Sequence, residues 1–375
     1  MNFGPHANLV PRAPSFEIDW PAIERAFPWV DALRACPQDP VHHAEGDVWT
    51  HTKMVCESLA ALSSWRAALP DDRAALFLAA LLHDVAKPER TRTDENGRVS
   101  APGHAVAGES VVRRWLWESG ADPLARERVA QLVRDHGAPL VALYREDPRR
   151  LAIAVSCRAG CHAVAILAEA DVRGRTCEDK VALLDRVHLF RELAEENLCL
   201  SAPFAFSSDH ARVEYFTTPG RDPFYAAFDQ TWGEVVVLSG LPGSGKSTFI
   251  ERLLPELPRI SLDEIREAEG ISPEGAQAEV ARLAHEQAKI YLRAKQPFVW
   301  DATNLSRELR GSVLGVVRSY GARVRIHCTE VAAGVLRARL AERDRYVPPA
   351  ALVRMLSRWQ TPDITEAERL TGLSA

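Results

Sequence analysis

Gly240-Leu241-Pro242-Gly243-Ser244-Gly245-Lys246-Ser247-Thr248 decides how the second half of this chain folds. Gly240 and Gly245 bracket a four-residue spacer and are followed at once by Lys246 and Ser247, the full spacing of a phosphate-binding loop. Glycine lets the backbone wrap closely around a phosphate. The loop amides and the N-terminus of the following helix then supply positive potential. The surroundings fit, because residues 235–238 read as a buried apolar strand and 245–254 as a helix. Working outward, strands are expected at 259–262, 297–301 and 323–329. Helices are expected at 276–294, 306–319 and 332–342. Strict alternation of this kind predicts an α/β domain over 233–375, with a parallel sheet and helices on both faces.

The loop predicts a nucleoside triphosphate, ATP or another, bound with magnesium. Gly240, Gly243, Ser244, Gly245 and Thr248 would surround its phosphates, Lys246 would pair with the β and γ phosphates, and Ser247 would ligate the ion. Two further segments bear on the reaction. Asp263 follows the second strand, where a carboxylate can accept the proton of an acceptor hydroxyl, and Arg266 lies one helical step on, where it can hold an acceptor phosphate. The plainer reading of Asp263 is a helix N-cap. Asp301 ends the third strand, in the position of a Walker-B-type acid. Arg337, Arg339, Arg343 and Arg345 form the densest basic run, which composition alone reads as a solvated helix face.

Upstream the pattern changes. Residues 1–40 are proline-rich and weakly patterned, an arm leading into a first helix near 21–33. From 41 to 197 apolar residues recur at helical spacing, in 48–69, 73–85, 104–117, 124–135, 149–170 and 177–195, which predicts an all-α bundle. Turn residues such as Pro70-Asp71-Asp72, Asn96-Gly97 and Gly120 separate the segments. His51, His83-Asp84, His104, His136 and Asp171 lie on or near these helices and can converge. Imidazole with carboxylate suits manganese, cobalt, nickel, zinc or iron. One ion could take His51, His83, Asp84 and Asp171, and a second His104 and His136 with Asp84 bridging. Such a pair would activate water against a phosphoester. Residues 198–232 carry many aromatics and read as a connector that packs on a neighbour, since flexible linkers are poor in aromatics.

Composition bounds the rest. The 375 residues suffice for two domains, and the 46% hydrophobic and 26% charged fractions are those of a globular protein. A net charge of -5 excludes a protein that coats polyanions. Seven scattered cysteines favour reduced thiols, with Cys157 and Cys161 packed rather than metal-bound. No membrane span or signal pattern is expected, so a cytoplasmic location follows.

The second half resembles the 5′-OH polynucleotide kinases of end-healing systems. The resemblance rests on the loop at 240–248, Asp263 with Arg266, the Asp301-Ala302-Thr303-Asn304 segment, and Arg339, Arg343 and Arg345 as a lid. It implies that Asp263 is the general base for a terminal 5′-OH and that Arg266 contacts the adjoining phosphate. The lid arginines would clamp the triphosphate. The first half resembles the HD-domain phosphohydrolases, in particular the HD domain attached to bacterial CCA-adding enzymes. Here the carriers are 42–52, Leu82-His83-Asp84-Val85-Ala86-Lys87-Pro88, Gly103-His104, Arg134-Asp135-His136 and 170–175. By that resemblance Lys87 and Arg175 contact the scissile phosphate, while His42, His43 and Glu45 line the site. In tandem, with the segment 215–225 between them, the halves look like a bifunctional bacterial end-healing family. RNA or DNA termini are then the substrate, and a nucleic-acid ligase is the expected partner. Two competitors stay open: a small-molecule kinase joined to a nucleotide phosphohydrolase, and a kinase regulated by a metal-sensing HD bundle.

Overall fold

The computed structural model describes residues 1–272, 275–342 and 346–372. The chain divides into two compact units, Met1–Ala205 and Phe206–Ala375.

The first unit is helical. Its main helices are α1 (Val48–Ala61), α2 (Pro70–Leu82), α3 (His104–Glu118), α4 (Pro123–Asp135), α5 (Pro148–Arg158), α6 (Cys161–Arg173) and α7 (Lys180–Glu196). Helix α2 is buried on every side from Ala74 to Leu82, which is how a central helix with no polar face must sit. It packs against α1, α4 and α6. Proline at the start of α2, α4 and α5 sets the first turn, where its missing N–H leaves no donor unmet. The Asp47 carboxylate caps α1, accepting from Thr50 N at 2.9 Å.

Several expected helices are broken in physically legible places. The 149–170 pattern is two helices bent by 102°, because Gly160 adopts φ +79 between them. The 48–69 pattern breaks at Leu62, which is extended. The 21–33 pattern becomes Trp20–Ala26 and Val30–Arg34, interrupted at Phe27-Pro28. Residues of the first forty pack inward: Phe3, Ile23, Phe27 and Leu33 are buried. A short antiparallel hairpin, Arg92–Thr93 with Val99–Ser100, flanks the expected Asn96-Gly97 turn. No single helix among the described residues is long and apolar enough to cross a membrane.

The second unit holds a five-stranded sheet. Its strands are β1 (Glu234–Ser239), β2 (Arg259–Ser261), β3 (Val299–Asp301), β4 (Arg323–Cys328) and β5 (Arg369–Thr371), in the order β2-β3-β1-β4-β5 and all parallel. The helices are α8 (Asp209–Thr217), α9 (Lys246–Leu253), α10 (Leu262–Ala268), α11 (Gln277–Arg293), α12 (Arg307–Ser319), α13 (Ala333–Ala341) and α14 (Pro349–Ser357). One face of the sheet, with Val235, Val237, Ile260 and Trp300, packs on Val280, Ala284 and Leu292 of α11 and Val313 and Val317 of α12. The other, with Val236, Leu238 and Val299, packs on Ile250 of α9. Strand β5 and helix α14 are elements beyond those expected from the sequence.

The aromatic segment 198–232 is shared between the units. Phe204 N donates to Ser156 Oγ at 3.1 Å in the first. In the second, Arg212 of α8 donates to the carbonyls of Ile364, Ala367 and Glu368. Trp232 Nε1 donates to Tyr320 O at 2.8 Å.

Candidate functional site

In the helical unit every predicted ligand lies at a helix end. His51 is in the first turn of α1, and His83-Asp84 follow the last residue of α2. His104 opens α3, His136 follows α4, and Asp171 is in the last turn of α6. The packing of these helices brings the ends to one place. His83 Nε2 lies 3.1 Å from Asp84 Oδ2, and His51 Nε2 lies 3.1 Å from Asp171 Oδ1 and 3.8 Å from Asp84 Oδ2. His104 Nε2 is 3.3 Å from Asp84 Oδ1 and 3.5 Å from His136 Nε2. Two ligand sets meet at Asp84, one of His51, His83 and Asp171 and one of Asp84, His104 and His136, and a third group, His43, Glu45 and His51, adjoins the first. Asp84 faces the first set with one oxygen and the second with the other.

The imidazoles are held by their far sides. His83, His104 and His136 each point Nδ1 at the carbonyl three residues back, of Ala80, Ala101 and Val133, at 2.7, 2.8 and 2.7 Å. A carbonyl can only accept, so each Nδ1 carries the proton and each Nε2 presents a lone pair to the centre. Burial pushes His136 down to about 3, helped by the charges of His83 and His104, so it is a neutral imidazole at neutral pH. Burial works to raise Asp84, yet His83 and Lys87 hold its carboxyl well below the usual range. Asp171 is likewise held down against burial by Arg175 and His51. Both Asp84 oxygens are buried without a well-formed hydrogen bond. Buried anions of this kind are expensive unless charge meets them. A centre of inward lone pairs and under-satisfied carboxylate oxygens fits divalent cations.

Basic groups border this centre. Lys87 Nζ lies 2.7 Å from Asp84 Oδ2 and donates to Gln38 Oε1. Arg175 holds Asp171 with two bonds, at 3.1 and 2.6 Å. His43 and Glu45 lie beside His51, whereas His42 is exposed. Gln38 was not expected, since a polar residue in a proline-rich lead-in carries no sequence signal. Cys161 is buried, and its Sγ donates to Ala152 O at 3.2 Å.

In the α/β unit the loop leaves β1 at the centre of the sheet and enters α9. Gly243 and Gly245 have φ +79 and +104, a conformation glycine adopts without steric cost. A Cβ on Gly240 would lie 2.4 Å from Thr329 O. Thr329 also bonds Ser244, Oγ1 to Oγ at 2.6 Å. Gly240 N donates to Thr303 O at 2.9 Å. The loop is thus seated between the segments that follow β3 and β4. Lys246 Nζ donates to the Gly240 and Leu241 carbonyls, each at 3.0 Å. Ser247 and Thr248 are exposed in the first turn of α9. Arg339 of α13 reaches the loop, donating from Nη1 to Gly243 O at 3.2 Å. Arg343 and Arg345 lie outside the described residues.

Asp301 is buried at the end of β3, on the sheet face that α9 covers. It is ion-paired with Arg259, whose Nε donates to Oδ2 at 2.9 Å. Arg259 was missed from the sequence. Strand alternation offered a signal, since Arg259 and Ser261 share a face, and the register sets Ser261 against Asp301. Asp263 is not the N-cap of α10. Ser261 takes that role, accepting from Glu264 N at 3.3 Å. Asp263 is the second helical residue, half exposed and ion-paired with Arg266. Arg266 Nε also donates to Gln277 Oε1 at 3.0 Å. Asn304 is structural: it is buried with φ 45, and its Nδ2 donates to Leu238 O at 2.7 Å.

Comparison with known proteins agrees with this division. Residues 47–172 match the HD domain family and residues 235–362 an AAA domain family of P-loop proteins. The Multifunctional CCA protein of Halorhodospira halophila (strain DSM 244 / SL1) is 36% identical over 115 residues, 31% of this chain and 25% of that protein. The chain therefore spans about a quarter of that relative's length. A crystal structure from Chloroflexus aurantiacus J-10-fl, of a protein provisionally described as a kinase, is 18% identical with a TM-score of 0.33. It covers 38% of this chain and 88% of that one, and a score of that size carries no inference. The chain joins an HD phosphohydrolase domain to a P-loop kinase-like domain.

Proposed function

We propose that this chain prepares broken nucleic-acid ends for joining. The HD half hydrolyses a 2′,3′-cyclic phosphate at one terminus, and the P-loop half phosphorylates a 5′-OH at the other. The observation that carries this reading is the pairing of two phosphate sites of opposite purpose in one chain. One is the Asp84-centred cluster bordered by Lys87 and Arg175. The other is a seated phosphate loop, with Asp263 and Arg266 following β2, two strands away in the same sheet. The likeness of the HD half to CCA-type proteins supports a polynucleotide terminus over a metabolite.

In the HD half the ligand sets would hold two divalent ions of manganese, cobalt, nickel, zinc or iron, which supply charge neutralisation and an ionised water. Asp84 spans both sets. The Nδ1 contacts keep each Nε2 lone pair turned inward. Lys87 and Arg175 bring positive charge to the rim, where the singly charged cyclic phosphodiester can pair with them. Both are held by carboxylates, so they are pre-positioned and need little reorganisation.

In the kinase half the loop amides and Lys246 cradle the β and γ phosphates of ATP or another nucleoside triphosphate. Ser247, with Asp301 as the Walker-B-type acid, would hold magnesium, which supplies charge neutralisation between those phosphates. Asp263 accepts the proton of the 5′-OH as that oxygen bonds to the γ phosphorus, and the bond from γ phosphorus to the bridging oxygen breaks to release the nucleoside diphosphate. Arg266 holds the neighbouring phosphate of the acceptor, and Arg339 neutralises charge on the transferring group. The half-exposed setting of Asp263 and Arg266 suits an acceptor that continues into solvent as a polymer.

The discriminating experiment offers the protein an oligonucleotide with a 5′-OH beside free nucleosides and sugars, with ATP and magnesium. Transfer to the oligonucleotide is expected. Transfer to the small acceptors alone would overturn the reading in favour of a metabolite kinase.

A further inference from the structure

Glu45 is grouped with His43 and His51, outside the two ligand sets that meet at Asp84. It sits in the lead-in to α1, with its side chain 2% exposed. Three chain segments meet on it. His43 Nδ1 bonds Oε1 at 2.8 Å. His51 Nδ1 lies 2.8 Å from the same oxygen, off the axis of an ideal bond. Thr176 N donates to Oε2 at 2.8 Å. Among the cluster histidines, His51 therefore differs in kind. His83, His104 and His136 are oriented by backbone carbonyls of their own helices. His51 is in the first turn of α1, where its ring turns to a side chain from another segment.

We infer that Glu45 is a positioning residue for metal binding, which fixes the His51 tautomer and ties the turn bearing Arg175 to the same ligand. This rests on the metal-dependent reading of the HD half. Nε2 of the same ring also lies against a carboxylate, Asp171 Oδ1 at 3.1 Å. With an ion between them Nε2 must carry the lone pair, and Glu45, which can only accept, then takes the hydrogen bond from the proton on Nδ1. Through Oε2, Glu45 also holds the backbone of Thr176, next to Arg175, which grips Asp171. The turn is close to α1 in its own right, since a Cβ on Gly174 would lie 2.7 Å from Val55 N. Glu45 thus supports two members of one ligand set, His51 and Asp171, and touches none of Asp84, His104 and His136.

The asymmetry makes the inference testable by stoichiometry. Wild type, Glu45→Gln and Glu45→Ala are each titrated with Mn2+ by calorimetry and by electron paramagnetic resonance. Wild type is expected to bind two ions with spin coupling. Outer-shell partners of metal-bound histidine are typically worth about 10–100-fold in affinity. Glu45→Ala is expected to lose one site by that factor, leaving the other near its wild-type affinity and an uncoupled Mn2+ signal. Glu45→Gln keeps an acceptor oxygen and is expected to fall between. ATP-dependent kinase activity and thermal melting report folding of the same preparations. Two tight ions in a folded Glu45→Ala protein would overturn the positioning role. Loss of both sites equally would also overturn it, since a general loosening of the fold predicts that. Wild type binding no ion would instead sink the metal reading beneath it.

Discussion

Asp84 concentrates the chemistry of the HD half. Its two oxygens face two ligand sets, and Lys87 approaches one of them to 2.7 Å. Asp84→Ala or His83→Ala should reduce metal binding and phosphoesterase activity to background while sparing the kinase. Asp263→Ala should do the reverse. Assaying both activities on each purified variant decides this, and parallel loss of both from each variant contradicts two independent sites. A different residue predicts pH dependence. His6 is buried, stacks on Trp115 at 3.7 Å, and is pushed by burial down to about 4. In the unfolded chain a histidine takes up its proton near pH ~6.5. As pH falls from there towards 4, the unfolded form binds a proton that the folded form refuses, so stability drops across that window. His6→Phe keeps an aromatic stack and should lessen the drop, part of which His43 and His327, also pushed down by burial to about 4, will still supply. Melting curves of equal steepness in both proteins would contradict the assignment.

Elements place these residues, and some of that placement depends on single positions. Gly240→Ala would drive a Cβ to 2.4 Å from a backbone carbonyl. Overpacking of this kind costs about 1–3 kcal/mol and must displace the loop from its seat, so nucleotide binding should weaken with it. Fluorescent-nucleotide titration checks this, and unaltered affinity would contradict a seated loop. Arg310 of α12 is fully buried and grips Glu366 at 2.7 and 2.8 Å. It also donates to the carbonyls of Asn304 and Gln360. Arg310→Met takes away the two-bonded partner of buried Glu366 and leaves it Arg307 at 3.5 Å and the Asp363 amide at 3.2 Å, a loss at the lower end of the about 3–5 kcal/mol for a broken buried pair. Denaturant unfolding of the variant measures it, and a shift below 1 kcal/mol on the order of surface pairs would contradict that role. The elements around the phosphate loop were legible because their signals are local: an apolar strand, glycines at fixed spacing and a helix. Strand β5 was not legible, since Arg369–Thr371 is too short to show a period, and its pairing with β4 is a long-range contact. Similarly, His83, His104 and His136 stood out in the sequence, but the carbonyls of Ala80, Ala101 and Val133 that orient them are backbone groups with no sequence signature. The break at Gly160 hid inside an unbroken apolar period.

On the scale of the whole molecule, the described candidate residues of each site fall within one unit. The HD ligands all precede Ala205, and the loop, Asp263, Asp301 and Arg339 all follow Phe206. Such a division fits substrates that are two different termini of one break. It also explains why either signature alone left the substrate open, while the pair in one chain narrows it. The most direct test takes an RNA bearing a 5′-OH and a 2′,3′-cyclic phosphate. The protein is added with ATP, magnesium and Mn2+, and both ends are mapped. The account predicts a new 5′-phosphate and an opened cyclic phosphate on the same molecule. An RNA recovered with both ends unchanged, from protein that binds ATP and metal, would contradict it.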